Sequence, residues 1–186
     1  FISTPCTGCQ CCASGTECIT TSGVVQCLDP CATYTVVNDA WRSTANMDIL
    51  ISHCDRNIVW SGWYRFYLGQ TSAQMPEKCV AERRCGTYAP LWINGAHPVQ
   101  LNEIVTRTVC NAWSGSCCYF PSHTIQIKVC SGYYVYKPQQ ASACDLAYCT
   151  GTVRYFNDRS GGLDHYVWII WEKNPGKDLK MSKRII

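Results

Sequence analysis

Sixteen cysteines supply most of the reactive side chains of this 186-residue chain. Six stand in the first thirty residues, at Cys6, Cys9, Cys11, Cys12, Cys18 and Cys27, and the stretch WSGSCCYF sets Cys117 and Cys118 side by side. Crowded thiols can ligate a metal, form a redox pair or anchor disulfides. The segment CTGCQCC has the C-x-x-C of some zinc sites, but zinc sites often recruit histidine at fixed spacing. His53, His97, His123 and His165 make no H-x3–5-H pattern. An even count of cysteines at about 9% of residues points instead to a disulfide scaffold, in which no thiol need be left over. Such scaffolds persist in oxidising compartments, so a secreted or cell-surface protein is expected.

The remaining chemistry is sparse. His53 adjoins Cys54, and Asp164 adjoins His165, but no G-x-S-x-G elbow, H-E-x-x-H, EF-hand or phosphate-binding glycine loop is present. No catalytic residue, cofactor or metal is therefore assigned, and an enzyme is not expected. Nucleic acid is not expected as a partner: the cationic clusters are Arg83-Arg84 and the tail, residues 1–149 balance nine Lys/Arg against nine Asp/Glu, and the net +3 lies wholly in residues 150–186. The longest apolar run near the end, Tyr166–Trp171, has six residues, whereas a membrane span needs about 20. The chain opens on Phe1 with no signal peptide, as expected of a processed chain or of a piece cut from a longer one.

The elements that must hold the cysteines are short strands. Glu17–Thr21 and Val24–Cys27 flank Ser22-Gly23 and predict a hairpin. Thirty residues cannot bury a core alone, so bridges must brace this piece and a neighbour must cover it. Gly62–Leu68, Thr124–Val129 and Tyr133–Tyr136 read as strands, the second with Ile125, Ile127 and Val129 alternating against Gln126 and Lys128. Leu101–Val105 fits a helix or a strand equally. Val167–Trp171 could add an edge strand. The expected fold is mainly β, small and disulfide-rich. Three segments follow from cysteine usage: an N-terminal cysteine-rich hairpin over 1–30, a ten-cysteine domain over 31–150, and a cysteine-free tail over 151–186.

Seven stretches then occur in a distinctive order: Asp29-Pro30-Cys31; Trp41–Thr44; Ser61–Phe66; Leu91–Gly95 with His97-Pro98; Trp113–Gly115 with Cys117-Cys118; Gly132–Tyr136; and Leu146–Thr150. Together they resemble the cysteine-rich domain, with eight to ten cysteines, of the uromodulin and pancreatic secretory granule membrane major glycoprotein family. The resemblance covers about residues 29–150. It implies the pairs Cys31–Cys130, Cys54–Cys144, Cys79–Cys117, Cys85–Cys149 and Cys110–Cys118. Residues 6–27 look like the hairpin, an EGF-like remnant, that precedes this domain in the family. That likeness implies Cys12–Cys27 and a bond from Cys18 to one of Cys6, Cys9 or Cys11. The family reading also implies a decoy module in adhesion and host defence, whose N-linked high-mannose glycans occupy bacterial fimbrial adhesins.

The chain departs from the family at the glycans. No asparagine sits in an N-x-[ST] sequon. Lys137 stands where the family carries a glycosylated Asn after Tyr-Val-Tyr, and Ala96 replaces the hydroxyl residue after Asn94-Gly95. The expected function is thus an extracellular recognition module for a protein or microbial adhesin. A structural spacer in a longer polymerising glycoprotein and a sugar-binding module are the alternatives. Tyr133, Tyr134, Tyr136 and Lys137 are the candidate binding residues, because alternation must place at least one of these tyrosines toward solvent or a partner. Trp41, Trp63, Trp92 and Trp113 are expected to pack against the disulfides.

Overall fold

The computed structural model describes residues 8–21, 24–152, 167–172 and 180–185. The chain divides into two compact units, Phe1–Thr152 and Val153–Ile186. Within the first unit a 3-10 turn at Cys9–Cys11 leads into the antiparallel hairpin of β1 (Glu17–Thr21) and β2 (Val24–Leu28), whose register places Cys18 opposite Cys27. Ser22-Gly23, the expected turn, lies outside the described residues.

A large mixed sheet forms the body. Its strands are β3 (Tyr34–Val37), β4 (Trp63–Leu68), β5 (Thr71–Gln74), β6 (Ala89–Asn94), β7 (Ile104–Asn111), β8 (His123–Cys130), β9 (Tyr133–Lys137), β10 (Leu146–Tyr148) and β11 (Gly151–Thr152). They lie in the order β10-β6-β7-β8-β9-β4-β5-β11, with β3 beside β4. The contacts β10–β6 and β3–β4 are parallel and the rest antiparallel. The Leu101–Val105 ambiguity resolves as a turn followed by strand: β7 starts at Ile104, and β-branched Ile104, Val105, Thr106 and Thr108 suit a pleated ladder.

Alternation sorts the side chains into two layers. One face carries the main core: Phe66, Met75, Leu91, Ile93, Val109, Ile125, Ile127, Tyr134, Tyr136, Leu146 and Tyr148. The other face of β4, β8 and β9 carries a smaller cluster of Trp63, Cys130 and Val135, with Cys31, Tyr34, Ile104 and Tyr133 against it. A third cluster joins Val80 and Trp92 to Cys85, Cys110 and Cys149. Trp63 and Trp92 therefore pack on cystine sulfur, while Trp41 and Trp113 are only half-buried.

The hairpin does not stand free. Glu17 accepts a hydrogen bond from Trp63 Nε1 at 2.6 Å and pairs with Lys137. Lys128, 1% exposed, donates to the Gly15 carbonyl and to Asp29, each at 2.6 Å. A buried ammonium is tolerable only when paired and hydrogen-bonded, and these contacts meet that requirement. Lys128 holds the Asp29 carboxyl below its usual range, helped by the Cys31 backbone N–H.

In the second unit, β12 (Val167–Glu172) pairs antiparallel with β13 (Lys180–Ile185). The strand expected over Val167–Trp171 thus finds its partner inside the tail. Ser160-Gly161-Gly162 and Asp164-His165 lie outside the described residues.

Candidate functional site

Six bridges join described residues: Cys9–Cys18, Cys12–Cys27, Cys31–Cys130, Cys79–Cys117, Cys85–Cys149 and Cys110–Cys118. Cys11 is also disulfide-bonded, and Cys6 lies outside the described residues. The partner of Cys18, open in the sequence, is Cys9. The adjacent Cys117 and Cys118 go to different places. Cys118 reaches back to β7 across Cα atoms 4.8 Å apart, and Cys117 ties down the Pro76–Val80 loop through Cys79, 5.6 Å away. Consecutive Cα atoms are only about 3.8 Å apart, shorter than a relaxed bridge prefers, so separate partners avoid strain.

Cys54 and Cys144 depart from expectation. Their Sγ atoms lie 2.8 Å apart, closer than van der Waals contact but without the bond formed at the other pairs. Cys54 sits just before the 3-10 turn at Asp55–Asn57, and Cys144 in the exposed loop before β10. Hydrogen bonding to Cys54 holds the Cys144 thiol above its usual range.

The candidate binding strand is mostly turned inward, which corrects the expectation for two of its residues. Tyr136 is fully buried, and its hydroxyl accepts the Met75 N–H at 3.1 Å and meets His97 Nε2 at 2.8 Å. Tyr134 is buried against the His97 ring, centroids 4.2 Å apart. Tyr133, two positions from Val135 on the opposite layer, is half-buried and donates its hydroxyl to the Cys31 carbonyl at 2.8 Å. Lys137 is half-buried and committed to Glu17. The face of β9 carrying Tyr134 and Tyr136 is fully covered and the face carrying Tyr133 only in part, so alternation alone does not tell which ring meets solvent.

Two histidines that the sequence marks only as surface or packing residues organise this interior. Glu77 Oε1 accepts from His97 Nδ1 at 2.6 Å and from the His97 backbone N–H at 2.9 Å. These bonds hold the Glu77 carboxyl below its usual range. His97 Nε2 faces Tyr136 Oη at 2.8 Å, so the ring bridges the carboxylate and the hydroxyl. The line Glu77–His97–Tyr136 has the order of a proton relay, but it ends on a hydroxyl with no exposure. It braces the core rather than meeting a substrate. His123 Nε2 lies 2.7 Å from the Tyr148 hydroxyl, which donates to the Gln139 carbonyl. Burial lowers the His123 pKa and raises that of Tyr148.

The Trp41–Thr44 segment hides a buried ion pair that its sequence does not advertise. Arg42 Nη1 and Nη2 meet the Asp55 carboxylate at 2.7 and 2.9 Å, and Nε meets Asp39 at 3.0 Å. Asp55 also accepts the Tyr148 N–H at 2.8 Å. The guanidinium lies 4.1 Å from the Trp41 ring, which stacks on His53 at 3.9 Å. Gly86 lets this stack form: its φ is +62°, and a Cβ there would lie 2.9 Å from the His53 ring. Trp41 beside Arg42 offers a stacking surface for a guanidinium, but the partner Asp55 is visible only in three dimensions.

Val24, Val25 and Val36 are exposed on strands, and other large apolar side chains are exposed on loops. Met47, Leu50, Ile51 and Val59 are 65, 94, 74 and 86% exposed. Met47, Leu50 and Ile51 lie in the chain between Arg42 and Asp55, where the Asp48 N–H bonds Asn46 Oδ1 and the Leu50 N–H bonds Asp48 Oδ1, and Val59 lies between Asp55 and β4. Among the described residues no group of three or more His, Cys, Asp or Glu could hold a metal. Cys9, Cys11 and Cys12, three of the four thiols of the zinc-like motif, are consumed by disulfides, and the fourth, Cys6, lies outside the described residues. No helix among the described residues is long and apolar enough to cross a membrane.

Residues 64–150 match the family model of the uromodulin-like cysteine-rich domain. Pancreatic secretory granule membrane major glycoprotein GP2 of Mus musculus is 45% identical over 128 residues, 67% of this chain and 23% of that protein. Uromodulin of Rattus norvegicus is 43% identical over 150 residues, 76% of this chain and 22% of that protein. The human pancreatic glycoprotein is 42% identical over 125 residues, 67% of this chain and 22% of that protein. The chain spans less than a quarter of the length of these relatives.

Proposed function

We propose, from the premise that the chain belongs to the uromodulin and pancreatic granule glycoprotein family through its cysteine-rich domain, that it is an extracellular, non-enzymatic recognition module. The cystines support an oxidising compartment. The observation that carries the recognition reading is the exposed set Met47, Leu50, Ile51 and Val59. Large side chains left this bare on loops beside a stapled sheet are a contact surface rather than a core. The partner is an extracellular protein, with microbial adhesins the class that the family resemblance supports. It binds the polypeptide, because the N-linked acceptors of the family are missing.

The test is retention of fimbriated bacteria on immobilised full chain made in a eukaryotic secretory host. Leu50→Ser/Ile51→Ser should reduce retention at least tenfold without shifting the thermal midpoint. No retention in either protein favours the structural spacer of a longer glycoprotein, and equal retention in both moves the contact away from these loops. Retention abolished by O-glycan removal and indifferent to the two substitutions assigns the binding to sugars instead.

A further inference from the structure

The sheet face opposite the main core is covered by the hairpin and Cys31–Cys130 only in part. Beyond them, register places Val36 beside Arg65 and Tyr67 beside Ser72, with Tyr34 and Tyr133 on the same layer. Tyr34, Arg65, Tyr67, Ser72 and Tyr133 are all half-exposed. The Arg65 guanidinium sits 3.6 Å from the Tyr133 ring centroid, 4.8 Å from that of Tyr67 and 5.7 Å from that of Tyr34. Tyr34 and Tyr133 pack edge to face behind it, with centroids 6.0 Å apart.

The hydrogen bonding of Arg65 is incomplete. Nη1 donates to Tyr34 Oη at 3.1 Å and Nη2 to Ser72 Oγ at 3.4 Å. Nε is buried without an acceptor. A guanidinium carries five N–H donors. With Nε enclosed and one hydrogen used on each terminal nitrogen, one N–H on each remains. Among the described residues no carboxylate pairs with it. Glu17 and Asp29, which lie toward this side of the sheet, are taken by Lys137 and Lys128. Arg42, by contrast, is surrounded by Asp39, Asp55 and the Tyr148 carbonyl.

A partly desolvated cation with no counter-ion is costly unless something completes it. Stacking fixes the guanidinium plane, so its two free N–H groups form a preset fork for a planar anion. The flanking tyrosines offer flat apolar rings, and the Tyr34 and Ser72 hydroxyls offer hydrogen bonds at the rim. That combination suits a sugar ring bearing a carboxylate. We propose that Arg65, with Tyr34, Tyr67 and Tyr133, binds the carboxylate of an acidic sugar, a sialic acid at the end of an extracellular glycan. The site is separate from the apolar loops at Met47–Ile51, and its success or failure does not depend on theirs.

Saturation-transfer NMR on the full, disulfide-intact chain tests it, with sialyllactose, lactose and inorganic phosphate as probes. Transfer to the sialic acid protons of sialyllactose, absent with lactose, is expected. Arg65→Lys keeps the charge and loses the fork, and should weaken binding at least tenfold. Ser72→Ala, which leaves the ring stack in place, should weaken it a few-fold and keeps the proposal testable if Arg65→Lys unfolds. Leu50→Ser/Ile51→Ser should leave sialyllactose binding unchanged. Equal transfer from lactose, displacement by equimolar phosphate, or full binding by Arg65→Lys would each overturn the assignment.

Discussion

Replacing Asp55 by alanine should destabilise the domain more than any other single loss of a carboxylate. Asp55 is fully buried, and it receives both terminal nitrogens of Arg42, itself 2% exposed, together with the Tyr148 backbone N–H. Removing it leaves a buried guanidinium whose one remaining carboxylate, Asp39, is 43% exposed. Breaking one partner of a buried pair costs about 3–5 kcal/mol, and an orphaned buried N–H adds about 1–3 kcal/mol. Part of this is recovered as water enters beside the 39–57 loops, so a loss of about 4 kcal/mol is expected. By the same reasoning, Arg42→Met/Asp55→Leu should cost less than either single change, because neither charge is then stranded. Urea unfolding of the oxidised protein measures all three. The backbone bonds Thr150 N–H to Arg42 O and Thr44 N–H to Thr150 O should survive in the double variant. A cost under about 1 kcal/mol for Asp55→Ala, or a double variant as weak as the sum of the singles, would refute the claim that desolvation makes this pair interdependent.

The two neighbouring cysteines should be unequal. Cys79–Cys117 closes 38 residues and Cys110–Cys118 closes 8, so chain entropy assigns them about 4 and about 2.5 kcal/mol. Urea unfolding of Cys117→Ser and Cys118→Ser should rank in that order, and peptide mapping that joined Cys117 to Cys118 would contradict it. Cys54 and Cys144 should be joined in material secreted into an oxidising compartment, since their sulfurs already touch; free-thiol counting on unreduced protein decides this. Stability should fall as pH drops from about 7.5 to about 5. Burial sets the folded pKa of His123 below the unfolded value of 6.5, so its contribution is complete above that value and is lost on acidification. His123→Gln, which can still donate to Tyr148, should show a smaller fall in thermal midpoint over that range.

Local pattern carries the strands and the hairpin. Ile125, Ile127 and Val129 alternate cleanly because β8 is covered by unlike layers, and Glu17–Thr21 and Val24–Leu28 are short runs rich in β-branched residues that pair antiparallel with Thr21 opposite Val24. The candidate binding tyrosines escape the pattern for a physical reason. Period two tells which residues share a face, but it does not tell whether the second face is wet. Here the hairpin, Trp63 and the Cys31–Cys130 bridge cover part of it, and a buried Lys128 stands where the pattern reads solvent. Arg42 and Asp55 are illegible for a different reason. Their meaning lies in a contact to Tyr148, 93 positions beyond Asp55, and nothing local to either residue encodes it.

The missing glycans are best understood position by position. Lys137, where the family resemblance places a glycosylated asparagine, is tied to Glu17 of the hairpin, and Pro138 follows it. Proline after an acceptor asparagine forbids the sequon, so this position has become a clasp and cannot be restored by one change. Asn94 differs. It ends β6 with its side chain exposed, Gly95 beside it takes φ of +135°, and Ala96 is exposed and contributes only its carbonyl, to Arg107 Nε at 2.7 Å. Ala96→Thr therefore rebuilds Asn-Gly-Thr without touching a side-chain contact. In a eukaryotic secretory host the variant should gain mass that an N-glycosidase removes, with a thermal midpoint unchanged within about 2 °C, as for a surface substitution. A variant that is secreted and stays unglycosylated would show that this loop, although exposed, does not present Asn94 in an acceptor geometry. Loss of the acceptor would then have followed a change of backbone, and the missing hydroxyl at position 96 would be a consequence rather than the cause.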